Sequence, residues 1–350
     1  MLLDETIKTV MYKDIPQEKA LWHAIKEVLG LKLQEVEELL QNCTLSDAVV
    51  MQDVMDHIFS SKGKRLRPIL LLLSGSFKPV DPVHEKNLVT AAAAVELIHM
   101  ASLIHDDIID ESQKRRGKPS VNALWGNRAA VLAGDFLFAR AFELLACCRN
   151  YELNMIVTRA ISTMCEGEIE QTRFAFDLSL NEQQYLQNIY RKTAALMEAC
   201  CAAGACLGGL EGEAVLQLEA FGRNLGLAFQ ITDDILDITG EPLITGKPVG
   251  NDLREGVITL PLIYLLEDPV YAPFLREIIE KRDFSPLTME FLRQPSCINV
   301  PVKRALDKAR LYIKTARECL AGFTETREEL FWSPWPSMFC SEECNDSFLY

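Results

Sequence analysis

Apolar residues recur at three- and four-residue spacing along most of the chain, which is the period of one helix face. The pattern predicts helices over residues 17–41, 42–59, 67–77, 85–111, 128–148, 151–171, 181–209, 211–238, 257–267 and 301–322. Alternating, strand-like stretches are scarce, and the breaks between helices are short runs such as KPVDPV and RRGKPS. We therefore predict an all-α protein folded as a single large helical bundle.

Composition and charge narrow the class of protein. Of 350 residues, 49% are hydrophobic and 25% charged, as in globular proteins with a substantial core. The formal net charge of −14 argues against a nucleic-acid partner. The N-terminus has no signal-peptide pattern, and the apolar run PILLLLSGSF is too short to cross a membrane. Together with eleven cysteines, this predicts a cytoplasmic protein with reduced thiols and no transmembrane segment.

Two acidic clusters interrupt apolar helical runs, in LIHDDIID and in QITDDILDITG. Their side chains are Asp106, Asp107, Asp110, Asp233, Asp234 and Asp237. One such cluster is ordinarily a solvated helix end, because like charges one turn apart repel. Two copies on apolar helices instead favour a site built between facing helices of a bundle. Carboxylates without His or Cys suit Mg²⁺.

Basic residues lie next to these clusters along the sequence. They occur in SKGKRLRP (61–68), RRG (115–117), YRKTAAL (190–196) and TGKPVGND (245–252). In an acidic protein, this placement indicates a site for a polyanion held by both metal and guanidinium groups.

The spaced motifs together resemble a known family. GKRLRP, ELIHMASLIHDDIID, RRGKPS, GDFLFARAF, EGEIEQ, RKTAAL, FQITDDILD and GKPVGNDLREG follow one another between about residues 20 and 265, in the order typical of trans-isoprenyl (polyprenyl) diphosphate synthases. The sequences of these motifs are most similar to those of bacterial long-chain members such as heptaprenyl diphosphate synthases. The resemblance implies an isoprenoid-synthase bundle with a central apolar tunnel over residues 1–325, followed by an atypical tail over 326–350.

The same resemblance implies roles for individual residues. All six aspartates are expected to bind Mg²⁺, and the catalytic residues are expected to be Asp106, Asp110, Arg115, Lys192 and Asp233. The allylic diphosphate is expected to contact Arg115, Lys192, Thr193, Gln230 and Lys247. Isopentenyl diphosphate is expected to contact Gly63, Lys64, Arg67, His99 and Arg116. In the implied reaction the allylic C–O bond ionises, isopentenyl diphosphate attacks the cation, and a proton is lost to the departed diphosphate.

Product length is expected to depend on the residues just before Asp106. In the family, bulky aromatic residues there stop elongation early, whereas this chain has Ala101 and Ser102. We therefore expect a medium or long product, near heptaprenyl, made from a farnesyl or geranylgeranyl primer. The alternative is that both are simply small helix-packing residues. One departure from the family is Val257, where many members have a lysine.

Other functions compete with this interpretation. ELIH at 96–99 is one Glu-x-x-His step, but a di-iron bundle needs two. A terpene cyclase shares the ionisation chemistry but needs no second diphosphate site. The chain could also be a non-catalytic or partner-dependent subunit. We expect a dimer and leave open whether its partner is identical. His105 is expected to be a packed polar residue, and Glu166, Glu168 and Gln171 to be a polar helix face or supporting groups.

The C-terminal sequence departs from the family after about residue 325. FWSPWPSMFCSEECNDSFLY contains two prolines that interrupt a helix, where relatives have a basic helical end. Two interpretations stay open: an altered end, or a segment that contacts a partner or a membrane surface during product release.

Overall fold

The fold is a bundle of α-helices, given by a computed structural model that describes residues 15–61, 63–240 and 250–323. Its helices are α1 (Ile15–Cys43), α2 (Val49–Phe59), α3 (Leu66–Ser74), α4 (Pro82–Ile109), α5 (Val121–Cys147), α6 (Tyr151–Arg173), α7 (Glu182–Ile189), α8 (Ala195–Leu207), α9 (Glu213–Thr239), α10 (Asn251–Glu255), α11 (Leu260–Leu266), α12 (Ala272–Lys281), α13 (Pro286–Leu292) and α14 (Pro295–Cys319). A π-helical segment, Tyr190–Ala194, joins α7 to α8. A short antiparallel hairpin pairs β1 (Lys114–Arg115) with β2 (Lys118–Pro119).

Helix α4 lies in the centre of the bundle and packs along α5. Its run of four alanines, 91–94, is fully buried, and such small side chains allow neighbouring helices to approach closely. In the described part of the chain, α4 alone is long and apolar enough to span a membrane, but 78% of its apolar window is buried inside the bundle. It is therefore a core helix here.

Helix α9 connects two clusters of buried side chains. Its first half, including Phe221, packs with the core formed mainly by α1, α3–α6 and α8. Its second half, including Ile231 and Ile235, packs with the core formed by α7, α11, α12, α13 and α14. The second acidic cluster belongs to this second half, so the core on both sides fixes its position.

Two glycines let α3 approach α8 closely. A Cβ at Gly204 would lie 2.1 Å from the carbonyl oxygen of Leu71, and a Cβ at Gly208 would lie 2.7 Å from that of Gly75. Side chains at these positions would separate the helices. GKRLRP spans the loop before α3 and the first turn of α3, so this contact also positions the basic motif.

The all-α prediction is confirmed, with corrections at individual elements. Helix α5 begins at residue 121 rather than 128, because Gly126 (φ 80°, ψ 162°) kinks it and obscures the period. Helix α14 begins at residue 295 rather than 301, because Pro301 lies inside it and reads in sequence as a helix start. The segment predicted as a helix over 42–59 instead contains the end of α1, a connection and α2, and RRGKPS contributes to the hairpin. Helices α10, α12 and α13 are short and escaped prediction. The tail 326–350 lies outside the described residues.

Candidate active site

The first acidic cluster lies at the C-terminal end of α4, where Asp110 is the C-cap residue. Burial, together with the charges of Glu168 and Asp110, raises the pKa of Asp106 to about 7, although the charge of Lys192 acts in the opposite direction. The pKa of Asp110 is raised by burial and by Glu168, again opposed by Lys192. Asp106 and Asp110 therefore share one partly buried environment that is short of positive charge.

Asp107, on the same turn, is held separately. It is 4% exposed, and its Oδ1 accepts hydrogen bonds from Arg115 Nε at 2.9 Å and Nη2 at 2.6 Å. Asn122 Nδ2 donates to the carbonyl oxygens of Asp107 at 3.2 Å and Ser112 at 3.1 Å, which fixes the turn between α4 and the hairpin. Asp107 and Arg115 were predicted to bind metal and diphosphate, and here they bind each other.

In the second cluster, the buried carboxylate of Asp234 accepts two short hydrogen bonds. Tyr185 donates its hydroxyl to Oδ2 at 2.6 Å, and Gln230 Nε2 donates to Oδ1 at 2.7 Å. Gln230 Nε2 also donates to Asp233 Oδ2 at 3.3 Å. Burial and the neighbouring Asp252 hold the pKa of Asp234 well above its usual range.

Asp237, the third residue of that cluster, caps a helix. Its carboxylate oxygens accept from the backbone N–H groups of Asn251 at 3.1 Å and Asp252 at 3.3 Å, at the start of α10. Burial and the charge of Asp252 raise the pKa of Asp237 to about 9. The carboxylate thus ties α9 to the short helix that follows it.

The π-helical segment lies between the two clusters. Lys192 Nζ pairs with Glu168 Oε1 of α6 at 3.0 Å, and Thr193 Oγ1 donates to Gln230 Oε1 of α9 at 2.6 Å. Burial acts to lower the pKa of Lys192. The negative charges of Glu168, Asp106 and Asp110 outweigh it, and the pKa lies above its usual value.

Two glycines admit the π-helical segment between its neighbouring helices. A Cβ at Gly167 of α6 would lie 2.7 Å from Arg191 Cβ, and one at Gly226 of α9 would lie 2.5 Å from Ala194 Cα. The close packing places adjacent residues, Lys192 and Thr193, against different acidic clusters.

The residues predicted to bind isopentenyl diphosphate converge beside α4. Burial, then the charges of Arg67 and Arg116, hold the pKa of His99 well below its usual range. A Cβ at Gly63 would lie 3.0 Å from Arg116 Nη2, and Arg116 Nη1 donates to the Ser61 carbonyl at 3.1 Å. Lys64 lies in the same loop, whereas Lys247 lies outside the described residues. The four described side chains and Gly63 thus belong to one loop, one hairpin and the adjoining helices α3 and α4.

Residues before Asp106 also have defined environments. Ala101 is fully buried, and Ser102 Oγ donates to the His99 carbonyl at 2.9 Å. The His105 ring lies against α5, with Nε2 3.2 Å from the Val131 carbonyl. A Cβ at Gly134 would lie 2.2 Å from the same nitrogen. These contacts agree with the prediction that His105 is a packed polar residue.

Several site residues escaped the sequence analysis. Tyr185 donates a hydrogen bond to Asp234, and the charge of Asp252 raises the pKa of Asp234. Asn122 fixes the turn after the first cluster. The sequence analysis gave Glu168 only as a polar helix-face or supporting group, but it pairs with Lys192. EGEIEQ was the only local signal for Glu168, and Tyr185 has none because its partner lies 49 residues away. Within the described ranges, no three His, Cys, Asp or Glu side chains converge closely enough to hold a metal ion by themselves.

The chain is similar in sequence to known proteins. Heptaprenyl diphosphate synthase component 2 of Geobacillus stearothermophilus is 41% identical over 245 residues, covering 70% of this chain and 76% of that protein. The chloroplastic solanesyl diphosphate synthase 2 of Arabidopsis thaliana is 37% identical over 317 residues, covering 87% and 74%.

The fold has solved counterparts as well. A polyprenyl synthase from Caulobacter crescentus CB15, solved with calcium and isoprenyl diphosphate, superposes with a TM-score of 0.86 at 34% identity, covering 91% of this chain and 97% of that one. The sequence model described as Polyprenyl synthetase matches residues 48–292. The family resemblance is thereby confirmed: this chain belongs to the polyprenyl synthetase family.

Proposed function

We propose that this protein is a prenyltransferase that condenses isopentenyl diphosphate with an allylic diphosphate and extends it to a medium or long all-trans chain, near heptaprenyl. One observation carries the proposal: α4 presents two different diphosphate-binding environments about two to three turns apart, one basic and one acidic, and the acidic one would bind its diphosphate through a metal ion. His99, beside Arg67 and Arg116, forms one, and Asp106 with Asp110, beside Lys192, forms the other. Two diphosphate substrates need two such environments.

The acidic environment fits a divalent metal ion, and we propose Mg²⁺. Buried carboxylates with raised pKa values, such as Asp106, lack compensating positive charge, which a cation would supply. Asp106 and Asp110 would hold the metal from α4, and Asp233 and Asp234 from α9. Mg²⁺ usually takes few carboxylates and completes its coordination with water and substrate phosphate, consistent with separate clusters. When bound, it would neutralise charge on the leaving diphosphate.

Asp107 and Asp237 would support this site rather than bind metal in the arrangement observed. Asp107 holds the Arg115 guanidinium, and Asp237 holds the backbone of α10. Asp107 adjoins Asp106 in the sequence, and Asp237 lies one turn after Asp233. The proposed substrate-bound state includes a rotamer change that turns either carboxylate towards the metal ion.

The chain's own cationic and polar groups would bind the two diphosphates. Lys192 is held charged beside Asp106 and Asp110, so its ammonium can bind the allylic diphosphate as charge develops on it. Thr193 and Gln230 hold each other at 2.6 Å and would orient that diphosphate. Arg115 and Lys247 remain predicted contacts. Because its pKa is lowered, His99 would donate a hydrogen bond to isopentenyl diphosphate from an uncharged imidazole. Lys64, Arg67 and Arg116 would supply the positive charge.

The product chain would extend along α4, away from Asp106. Ser102 lies one turn before Asp106 and satisfies its hydroxyl on its own helix, so it offers a small surface to a hydrocarbon. Ala101 is likewise small. Apolar walls would exclude water from the allylic cation. The medium or long products named for the Geobacillus and Arabidopsis relatives support the same inference.

We also propose that the protein acts as a dimer through one face of α5. Val131, Leu132 and Phe142 are 42%, 53% and 42% exposed and recur on one side of the helix after its kink. The word "component" in the name of the Geobacillus relative allows the partner to be a different chain, so identical and unlike partners are both to be tested.

The proposal is tested by incubating the purified chain with Mg²⁺, farnesyl diphosphate and labelled isopentenyl diphosphate, then sizing the products. Long prenyl products are expected, and Lys192→Met should abolish them. Lys308→Met is the matched control, because Lys308 also pairs with a glutamate, Glu182, at 2.6 Å. Absence of products from the chain alone, and from the chain mixed with candidate partner subunits, would refute the catalytic proposal. Products only in a mixture would identify a partner-dependent subunit.

A further inference from the structure

Arg65 lies in the GKRLRP loop between two predicted contacts of isopentenyl diphosphate, Lys64 and Arg67. It is 7% exposed and occupies the left-handed backbone region, with φ 59° and ψ 38°, at the N-cap of α3. Few residues other than Gly, Asn and Asp adopt this conformation, so the surrounding contacts must hold it. Arg65 has no role in the function proposed above.

The Arg65 guanidinium joins two carboxylates from different helices. Nη1 donates to Glu96 Oε1 of α4 at 2.8 Å, and Nη2 donates to Glu37 Oε2 of α1 at 3.1 Å. Nε also donates to Glu37 Oε1. The loop, the first helix and the central helix therefore meet at one side chain.

Glu96 also acts on the diphosphate pocket. It is 2% exposed and precedes His99 by one turn on α4. Burial lowers the pKa of Arg67 and of Arg116, and the charge of Glu96 opposes that shift at both. Arg67 Nε is buried without a hydrogen-bond partner. A Glu96 carboxylate released from Arg65 would thus have two other guanidinium groups near it.

We infer that Arg65 is a positioning residue for the isopentenyl diphosphate pocket: by holding Glu96 and Glu37, it leaves Arg67 and Arg116 available to the substrate. The inference rests on the proposed function in assigning that pocket its substrate. A buried carboxylate does not stay unpaired when a cation is near. Without Arg65, Glu96 would pair with Arg67 or Arg116, and the diphosphate would have to displace it.

The test measures binding of isopentenyl diphosphate by calorimetry, on the full chain and without allylic substrate. Arg65→Met should weaken binding about tenfold or more. The double variant Arg65→Met/Glu96→Gln should recover to within about threefold of the parent, because the competing carboxylate is gone. The KM for the allylic substrate should change less than about twofold. Arg223→Met is the control, since Arg223 also binds a glutamate through two nitrogens, at 2.7 and 3.0 Å.

Binding by Arg65→Met equal to that of the parent would overturn the inference. So would a double variant that binds no better than Arg65→Met, because Arg65 would then only hold the fold together. Should Arg65→Met fail to fold, Arg65→Gln replaces it, with the same comparison and the same overturning results. A parent chain that binds isopentenyl diphosphate but never elongates a primer refutes the proposed function while leaving this comparison valid. A parent chain that does not bind it refutes the inference.

Discussion

Tyr185→Phe tests whether Asp234 works as an oriented ligand. The hydroxyl of Tyr185 donates to Asp234 Oδ2 at 2.6 Å, and both residues are buried. Phenylalanine preserves the ring and removes only that donor, so the packing around α7 is retained. Asp234 keeps the hydrogen bond from Gln230 to its other oxygen, so the carboxylate loses one of two restraints.

The size of the effect follows from the kind of hydrogen bond that is lost. A hydrogen bond to a charged group contributes about 1.5–3 kcal/mol, and 1.4 kcal/mol corresponds to about a tenfold change in an equilibrium constant. Groups that orient a metal ligand usually change metal affinity or activity about 10–100-fold when removed. Because Gln230 remains, we expect the lower end of this range, about a tenfold rise in the Mg²⁺ concentration for half-maximal turnover.

The assay is steady-state turnover against Mg²⁺ concentration, with both diphosphate substrates saturating. Tyr264→Phe is a close control, because the Tyr264 hydroxyl donates to a glutamate, Glu182, at 2.7 Å. That pair lies outside both acidic clusters, so its loss should leave the Mg²⁺ dependence unchanged. Equal Mg²⁺ dependence in Tyr185→Phe and the parent would refute the reasoning, as would an equal shift in both variants.

Three further predictions concern stability, product length and assembly. Gly204→Ala should lower the free energy of unfolding by about 1–3 kcal/mol, because the new Cβ would lie 2.1 Å from the Leu71 carbonyl oxygen. Gly30→Ala is the control and should not lower it, because no atom lies within 4 Å of the new Cβ. Equal melting temperatures of the two variants would contradict the prediction. Ser102→Phe should shorten the main product, measured by chromatography of the prenyl chains, and an unchanged length would remove the residue from the tunnel. Leu132→Asp should convert dimer to monomer in sedimentation analysis, and an intact dimer would place the interface elsewhere.

The acidic clusters and their helices were predictable because the signal is local. Asp106 follows a long apolar run without glycine or proline, Asp233 follows an apolar stretch that contains Ala and Gly, and two similar clusters on long helices imply a shared site. Side-chain pairing was not predictable. Nothing in the sequence indicates that Asp107 is bound by Arg115 across a turn, or that Tyr185 reaches Asp234, because such partners depend on how distant elements pack.

Helix geometry set a second limit on prediction. Residues 181–209 were predicted as one helix, and the chain is helical throughout this range except at its ends. Five residues of it, Tyr190–Ala194, are π-helical. Apolar spacing does not separate α from π geometry over so short a stretch, and the glycines that admit the π segment, Gly167 and Gly226, lie on other helices.

The π-helical segment has a consequence for which changes of length the protein tolerates. Each residue added to or removed from an α-helix rotates everything after it by about 100°. A π turn contains one residue more than the α turn it replaces, and Lys192 and Thr193 face α6 and α9 only with that residue present. A single-residue insertion or deletion between Glu182 and Lys192 would therefore turn Lys192 and Thr193 away from α6 and α9, even where the inserted or deleted residue is exposed.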